Sequence, residues 1–243
     1  MKTLHSFTLV FTLMVGLLCS CHINKVSGDG NIVSKEIPTE DYSKIRIKGE
    51  NIDLRYTQSD GAPYLKIETD QNILDLLEIK SNSNELVIRP QDRHTGIRPT
   101  RFIVETNSTA LKALRMAGSG NCNLGTGLTG DKLEIKTAGG GTIEAEAIAI
   151  AHLDCEIAGS CTLCLSGKTE KMEIESAGSS KVKAFDLETD ELDCQAAGST
   201  HIEVTANKTI SVQIAGSGTI RYKGNPDIKR KDIAGSGSIT KVD

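Results

Sequence analysis

The chain has 243 residues, with 28 Lys+Arg against 32 Asp+Glu, a formal net charge of −4. That balance argues against a protein that binds a nucleic-acid backbone, which carries a clear basic excess. Aromatic residues make up only 3% of the chain, with no Trp, while Gly reaches 23. An interior of small aliphatic side chains is therefore expected, and evenly spaced Ile, Val and Leu runs argue against disorder.

Lys2 is followed by an apolar stretch from Phe7 to Leu18, too short to span a bilayer and of the form of a signal-peptide core. It ends in Leu18-Cys19-Ser20-Cys21, which resembles the lipobox of bacterial lipoproteins. The resemblance implies that residues 1–20 are removed as a lipoprotein signal peptide. Cys21 then becomes the lipidated first residue and the membrane the first partner. Acyl chains contribute about 0.8 kcal/mol per buried methylene, so several give a stable anchor. Residues 21–30 are polar and contain Gly, and read as a short lipidated tether.

Residues 31–243 read as a single all-β domain in two parts. In the first, 31–110, short alternating runs recur: Ile45-Arg46-Ile47, Ile52-Asp53-Leu54, Tyr64 to Ile67, Glu85 to Ile88 and Phe102 to Val104. They predict about three atypical coils plus a cap. Asn72 to Leu77 is one helical turn or an irregular loop, and Pro90 to Arg101, rich in Arg, is the one irregular segment.

In the second part, 111–243, a small-residue corner recurs. It begins at Ala117-Gly118-Ser119-Gly120, Ala138-Gly139-Gly140-Gly141 and Ala158-Gly159-Ser160-Cys161, and continues at Ala177, Ala197, Ala215 and Ala234, each followed by Gly-Ser. The step from one corner alanine to the next stays close to a single period of about 20 residues. Period-two alternation flanks every corner: Leu114, Ile135, Cys155, Ile174, Cys194 and Val212 stand three residues before the alanine, and Cys122, Ile143, Leu163, Val182, Ile202 and Ile220 five after it. Each unit is then strand, tight bend, strand and a looser return of about seven residues. Such a unit buries its apolar face only by stacking on the next. The fold predicted is a parallel β-helix (β-solenoid) of roughly 20-residue coils, about ten in all, right-handed by the usual crossover preference. The corner serines would form a ladder along one edge. Lys229 to Asp232 replace the alternation in the last coil and read as protection of an open sheet edge.

Stacking turns outward positions into columns. Glu134, Asp154, Glu173 and Asp193, with Glu156 and Glu175 beside them, make an acidic stripe, the candidate recognition surface for a basic partner or divalent ions. Charges about 5 Å apart in water repel by only about 0.8 kcal/mol, so the stripe needs no metal to explain it. The calcium-binding repeat of Gly-Gly-x-Gly-x-Asp type is missing, and no cofactor is expected. Five cysteines remain after Cys21: Cys122, Cys155 and Cys194 point inward as small fillers, while Cys161 and Cys164 flank one bend. His152 and His201 fall in different phases of their coils, with no acid–nucleophile set around them.

Three further motifs carry a family resemblance: Gly28-Asp29-Gly30-Asn31, the run from Glu40 to Ile47, and the Gly49-Glu50-Asn51-Ile52-Asp53-Leu54 turn. With the Ala-Gly-Ser-Gly corners, residues 28–240 resemble the family described as putative auto-transporter adhesin, head GIN domain, in which Phe usually stands where this chain has Tyr42. The resemblance implies an adhesin-like role; with the lipobox, the rigid rod and the lack of a catalytic set, the reading is a non-catalytic envelope lipoprotein at the outer membrane that recognises a glycan or an envelope component. It brings no set of functional residues. A periplasmic structural or sensory module with a protein partner is the alternative, and a polysaccharide-cleaving β-helix a third reading. His22 to Lys25 lack the acidic cluster that signals surface export, so the membrane face stays open, as does the oligomeric state.

Overall fold

The computed structural model describes residues 24–92 and 94–243; the segment expected to be a signal peptide, residues 1–20, and Cys21 lie outside the described residues. Strands dominate, and they follow the sequence alternation closely. The first half carries β1 (Asn24–Ser27), β2 (Ile32–Glu36), β3 (Lys44–Gln58) and β4 (Tyr64–Asp70), then one helical turn, α1 (Gln71–Leu74). β5 (Leu77–Ser81), β6 (Glu85–Pro90), β7 (Thr95–Arg98) and β8 (Phe102–Ser108) complete it. The stack proper comprises β9 (Ala113–Thr126), β10 (Thr129–Gly178), β11 (Lys181–Gly198) and β12 (His201–Gly216). It closes with β13 (Thr219–Lys223), β14 (Asp227–Ala234) and β15 (Ser238–Lys241).

From β9 onward the coils are parallel and in register, about six turns of about 20 residues each. Like residues stack: Ile174 on Cys194 on Val212, and Val182 on Ile202 on Ile220. Every one of these is buried. Full burial of each such aliphatic side chain contributes roughly 1.5–3 kcal/mol.

The return expected to be a loose connection is itself mostly strand. After Ile143 and Ala145 on the second side of its coil, the chain breaks at Ala147 (φ 49) and turns a third pair, Ile148 and Ile150, inward. The coil is therefore three-sided, and β10 runs unbroken through about two and a half turns. Alternation over two or three residues was too short to mark this side in the sequence.

At the corners, the glycine after each alanine carries a positive φ, from +104 at Gly198 to +138 at Gly139. These glycines stack one above another, and the hydrogen that replaces a side chain faces the carbonyl oxygen of the coil before. Even at Gly216, the most open of them, a Cβ would sit 2.7 Å from the Gly198 oxygen. The corner thus demands Gly for two reasons at once, a backbone region closed to L side chains and no room for a methyl group. The serines that follow mostly face solvent. What forms the ladder there is their backbone, Ser179 N–H to Gly159 O at 2.9 Å and Ser199 N–H to Gly178 O at 2.8 Å, not the hydroxyls.

The first half departs from the expected row of three parallel coils. β3 is a true coil, with its Gly49 stacked under Gly118. Its other edge is covered by two separate strands, β6 along Lys44–Ile47 and β8 along Ile52–Gln58, both parallel to it. Beyond them the direction reverses: β5 pairs antiparallel with β6, β4 with β8, and β2 with β4. Chain order and spatial order therefore differ, since β9 returns to stack on β3 and not on β8. The antiparallel strands form the cap, and Tyr42 sits buried beneath it. Its hydroxyl bonds Thr106 Oγ1 at 2.6 Å, and Thr106 in turn donates to the Tyr64 carbonyl. Burial raises the Tyr42 phenol well above its ordinary value and keeps it a donor. The extra oxygen relative to Phe is thus satisfied.

The tether is shorter than its polarity suggests. β1 pairs in parallel with β7, inside the Arg-rich segment expected to be irregular. Gly28 N–H bonds Arg98 O at 2.9 Å, and Gly30 N–H bonds the Asp70 carboxylate at 2.8 Å. Asp70 is completely buried. The Gly-Asp-Gly turn fits because a side chain on Gly28 would collide with that carboxylate. At the far end, β14 is exposed along nearly its whole length, with Lys229 paired to Asp227 and Arg230 to Asp232. Charge on an edge strand opposes strand addition.

Candidate recognition site

Three kinds of surface were legible as candidates: the acidic stripe, the thiols and the histidines. The stripe is assembled as expected on the side preceding the corner, with Glu173 beside Asp193 in register and Glu175 beside Gln195. It is not uniform. At Glu134, burial raises the carboxyl, but Arg115 at 2.9 Å and Lys136 outweigh it and the group is held below its ordinary value. Lys136 also pairs with Glu156, and Lys171 with Glu173.

The middle of the stripe behaves in the opposite way. Asp154 is raised by burial and then by Glu156; Glu175 by burial and then by Glu156 and Asp154; Asp193 by burial and then by Glu173. A carboxyl raised in the folded state opposes folding when ionised, and this cost vanishes below its unfolded value. Asp154→Asn and Asp193→Asn should therefore leave stability at pH 7 unchanged or higher by about a few tenths of a kcal/mol, an effect that fades in salt. Urea unfolding at low and high salt measures it; a clear loss of stability would mean these carboxylates hold something in place. Among the described residues, no three His, Cys, Asp or Glu side chains converge as metal ligands.

The five cysteines among the described residues are free thiols. Cys161 turns inward, and Cys164 outward as its phase predicts, on the same strand, so the two point to opposite faces. Burial pushes the Cys194 thiol up to about 12, and those of Cys122 and Cys155 higher still. Such groups pack as apolar fillers and are inert as nucleophiles. His201 is 3.3 Å from Glu203, which Arg221 also binds, and His152 stands apart on another side.

The structure adds a feature that the sequence did not mark. On the side following the corner, where β3, β9 and β10 meet, lies an open hollow of about 540 Å³. Two outward columns line it. Asp53, Asn121 and Thr142 stand in register in one, and Arg55, Asn123 and Glu144 in the other. Arg55 is fixed by Asp53 at 2.6 Å and Glu105 at 3.1 Å. Asn123 Oδ1 accepts the Gly125 N–H at 2.7 Å, which turns its NH₂ group away from the backbone. The three pairs share one pattern, polar-x-polar after a corner. Aligning Gly49 with Gly118 alone would set Asp53 opposite the inward Cys122; only the register shift between Gly49 and Ile52, one extra residue in the β3 corner, brings Asp53 beside Asn121 and Arg55 beside Asn123.

No helix among the described residues is long and apolar enough to cross a membrane. No curated protein matches the sequence. Among solved structures, a putative lipid binding protein from Parabacteroides distasonis is 32% identical, with 90% of this chain and 100% of that one covered and a TM-score of 0.75. A putative adhesin from the same organism is 26% identical over 90% of this chain and 100% of that one, at a TM-score of 0.69. A putative adhesin from Bacteroides fragilis, at 23% identity, shares the fold at a TM-score of 0.80 over 89% of this chain and 100% of that one. Residues 41–226 match the family model described as putative auto-transporter adhesin, head GIN domain, and the chain belongs to that family.

Proposed function

We propose that the protein is a non-catalytic recognition rod of the cell envelope, anchored in the outer membrane through lipid on Cys21 and displayed for adhesion. The observation that carries this reading is the surface itself. The regular coils follow one another without a long inserted loop, and present flat sides of polar groups held by a continuous backbone ladder. A rigid side of this kind binds by complementarity without reorganising. Membership in an adhesin-like family supports the same reading.

Protease treatment of intact cells tests it. The expected result is loss of the protein while a periplasmic control survives, with a Cys21→Ala variant released from the membrane fraction. Deletion of the gene should then reduce attachment of cells to a glycan-coated surface. Survival of the rod on intact cells, with digestion only after the outer membrane is opened, would overturn surface display and leave the periplasmic module in its place.

A further inference from the structure

We infer that the hollow between β3, β9 and β10 is a subsite for an uncharged, hydroxyl-rich sugar residue, and that a glycan ligand binds there and not on the acidic stripe. The inference rests on the recognition reading above and adds to it a place and a ligand class.

Shape comes first. A volume of about 540 Å³ falls within the range of about 300–1,000 Å³ common for small-ligand clefts. The lining is a grid. Neighbouring rungs of a parallel sheet lie about 4.8 Å apart, and alternate residues of one strand about 6.7 Å, so six polar groups sit on the scale of one or two pyranose rings. Asp53, Asn121 and Thr142 form one edge of that grid and Arg55, Asn123 and Glu144 the other. Carboxylates accept, a guanidinium donates, and amide and hydroxyl groups do both, which is the mixture that vicinal hydroxyls, themselves donors and acceptors, can satisfy.

Charge narrows the class. The guanidinium of Arg55 is already matched by Asp53 and Glu105, so the lining residues supply no free cation with which to draw a uronate, sulfate or phosphate. Glu144 adds a further negative charge. Polyanions are thus disfavoured. Order is built in as well. The Asp53–Arg55–Glu105 arrangement and the bond from Gly125 to Asn123 fix side chains before any ligand arrives, which lowers the entropy lost on binding. The stripe offers the reverse: crowded carboxylates whose ionisation its own neighbours oppose.

The full chain is screened on an array of neutral hexose and N-acetylhexosamine oligosaccharides, with alginate and heparin as polyanions, and hits are titrated by calorimetry. Asn121→Ala and Glu144→Gln change exposed side chains and should leave the melting temperature in place. The expected result is binding to a neutral glycan that weakens at least about tenfold in either variant and is unchanged when Glu134, Asp154, Glu173 and Asp193 are neutralised together. Wild-type affinity in both hollow variants, or binding confined to the polyanions, would overturn the subsite. An array without any neutral hit would do the same. Each of these failures leaves the recognition reading standing if intact cells still lose the rod to protease and attach through it; failure of the protease test counts against display and not against the subsite.

Discussion

Replacing Gly139 by Ala should destabilise the solenoid by more than about 3 kcal/mol, a large share of the roughly 5–15 kcal/mol typical of an ordinary domain. Two terms add. At φ +138 the backbone is in a region that L side chains rarely adopt, and the new Cβ would fall inside contact distance of the Gly118 carbonyl oxygen, which is backbone and part of the stack. Two neighbouring positions separate the terms. At Gly127, φ is +80 but a Cβ would meet nothing within 4 Å, so Gly127→Ala should cost about 1 kcal/mol from strain alone. Gly140 has neither problem, its nearest contact being Ser160 O at 3.8 Å, and Gly140→Ala should stay within about 0.5 kcal/mol of the parent. Urea midpoints followed by circular dichroism give all three. A Gly139 variant as stable as the Gly140 variant would show that the corners relax, and that the stacked glycines are a habit of composition.

The second large effect is expected at Asp70. Its carboxylate has no exposed surface and receives N–H bonds from Gly30 and from Thr100, each at 2.8 Å. Burial raises this group, yet those bonds outweigh it and hold the carboxyl below its ordinary value. Asp70→Ala removes the buried charged acceptor of two N–H bonds whose donor residues are themselves exposed, and should cost about 1.5–3 kcal/mol. The loss should be local first, because Asp70 clamps the Gly28–Asn31 turn that carries β1. Trypsin should therefore cut at Lys25 in the variant well before it attacks the stack. The pH dependence has a definite sign. With the folded value below the unfolded one, the contribution is complete above about pH 4 and disappears as pH falls through the folded value. Asp70→Asn should flatten the fall of stability in that acid range. An arm as resistant to trypsin in the alanine variant as in the parent would remove Asp70 from this role.

How far the sequence could be read differs sharply between the two halves, for a physical reason. In the regular coils each residue's neighbours are its own equivalents one period away, so period and phase together determine burial. Ile135, Ile174 and Val212 were placed inward, and Glu173 and Asp193 outward, by arithmetic alone, and the structure agrees. In the first half the same alternation fits parallel and antiparallel partners equally well. Nothing local in Ile45-Arg46-Ile47 says that it lies between Leu86 and Leu114. The arm was misread because a polar, Gly-containing stretch looks like a linker until its acceptor, Asp70, is found at the far end of β4. The stripe was legible because it stays within one column of consecutive coils. The hollow was not, because it requires knowing that β9 returns to β3. The lipid anchor rests on sequence alone.

That return has a bearing on how the chain is made. Ile45 finds one partner at Leu86, beyond two intervening strands of the cap, and the other only at Leu114, after the whole cap has been traversed. During synthesis β3 emerges with both edges bare, and the excursion through the cap must be completed before the second edge can close. Closing such long loops is the slow kind of step. Every later coil needs only the one before it, a single period back, and can be laid down as it appears. The rod is thus wound outward from a seam near its beginning. A chain cut short before Thr126 would leave that seam open on the side from which the rod has to grow, with an apolar, unpaired edge facing whatever else is in the compartment.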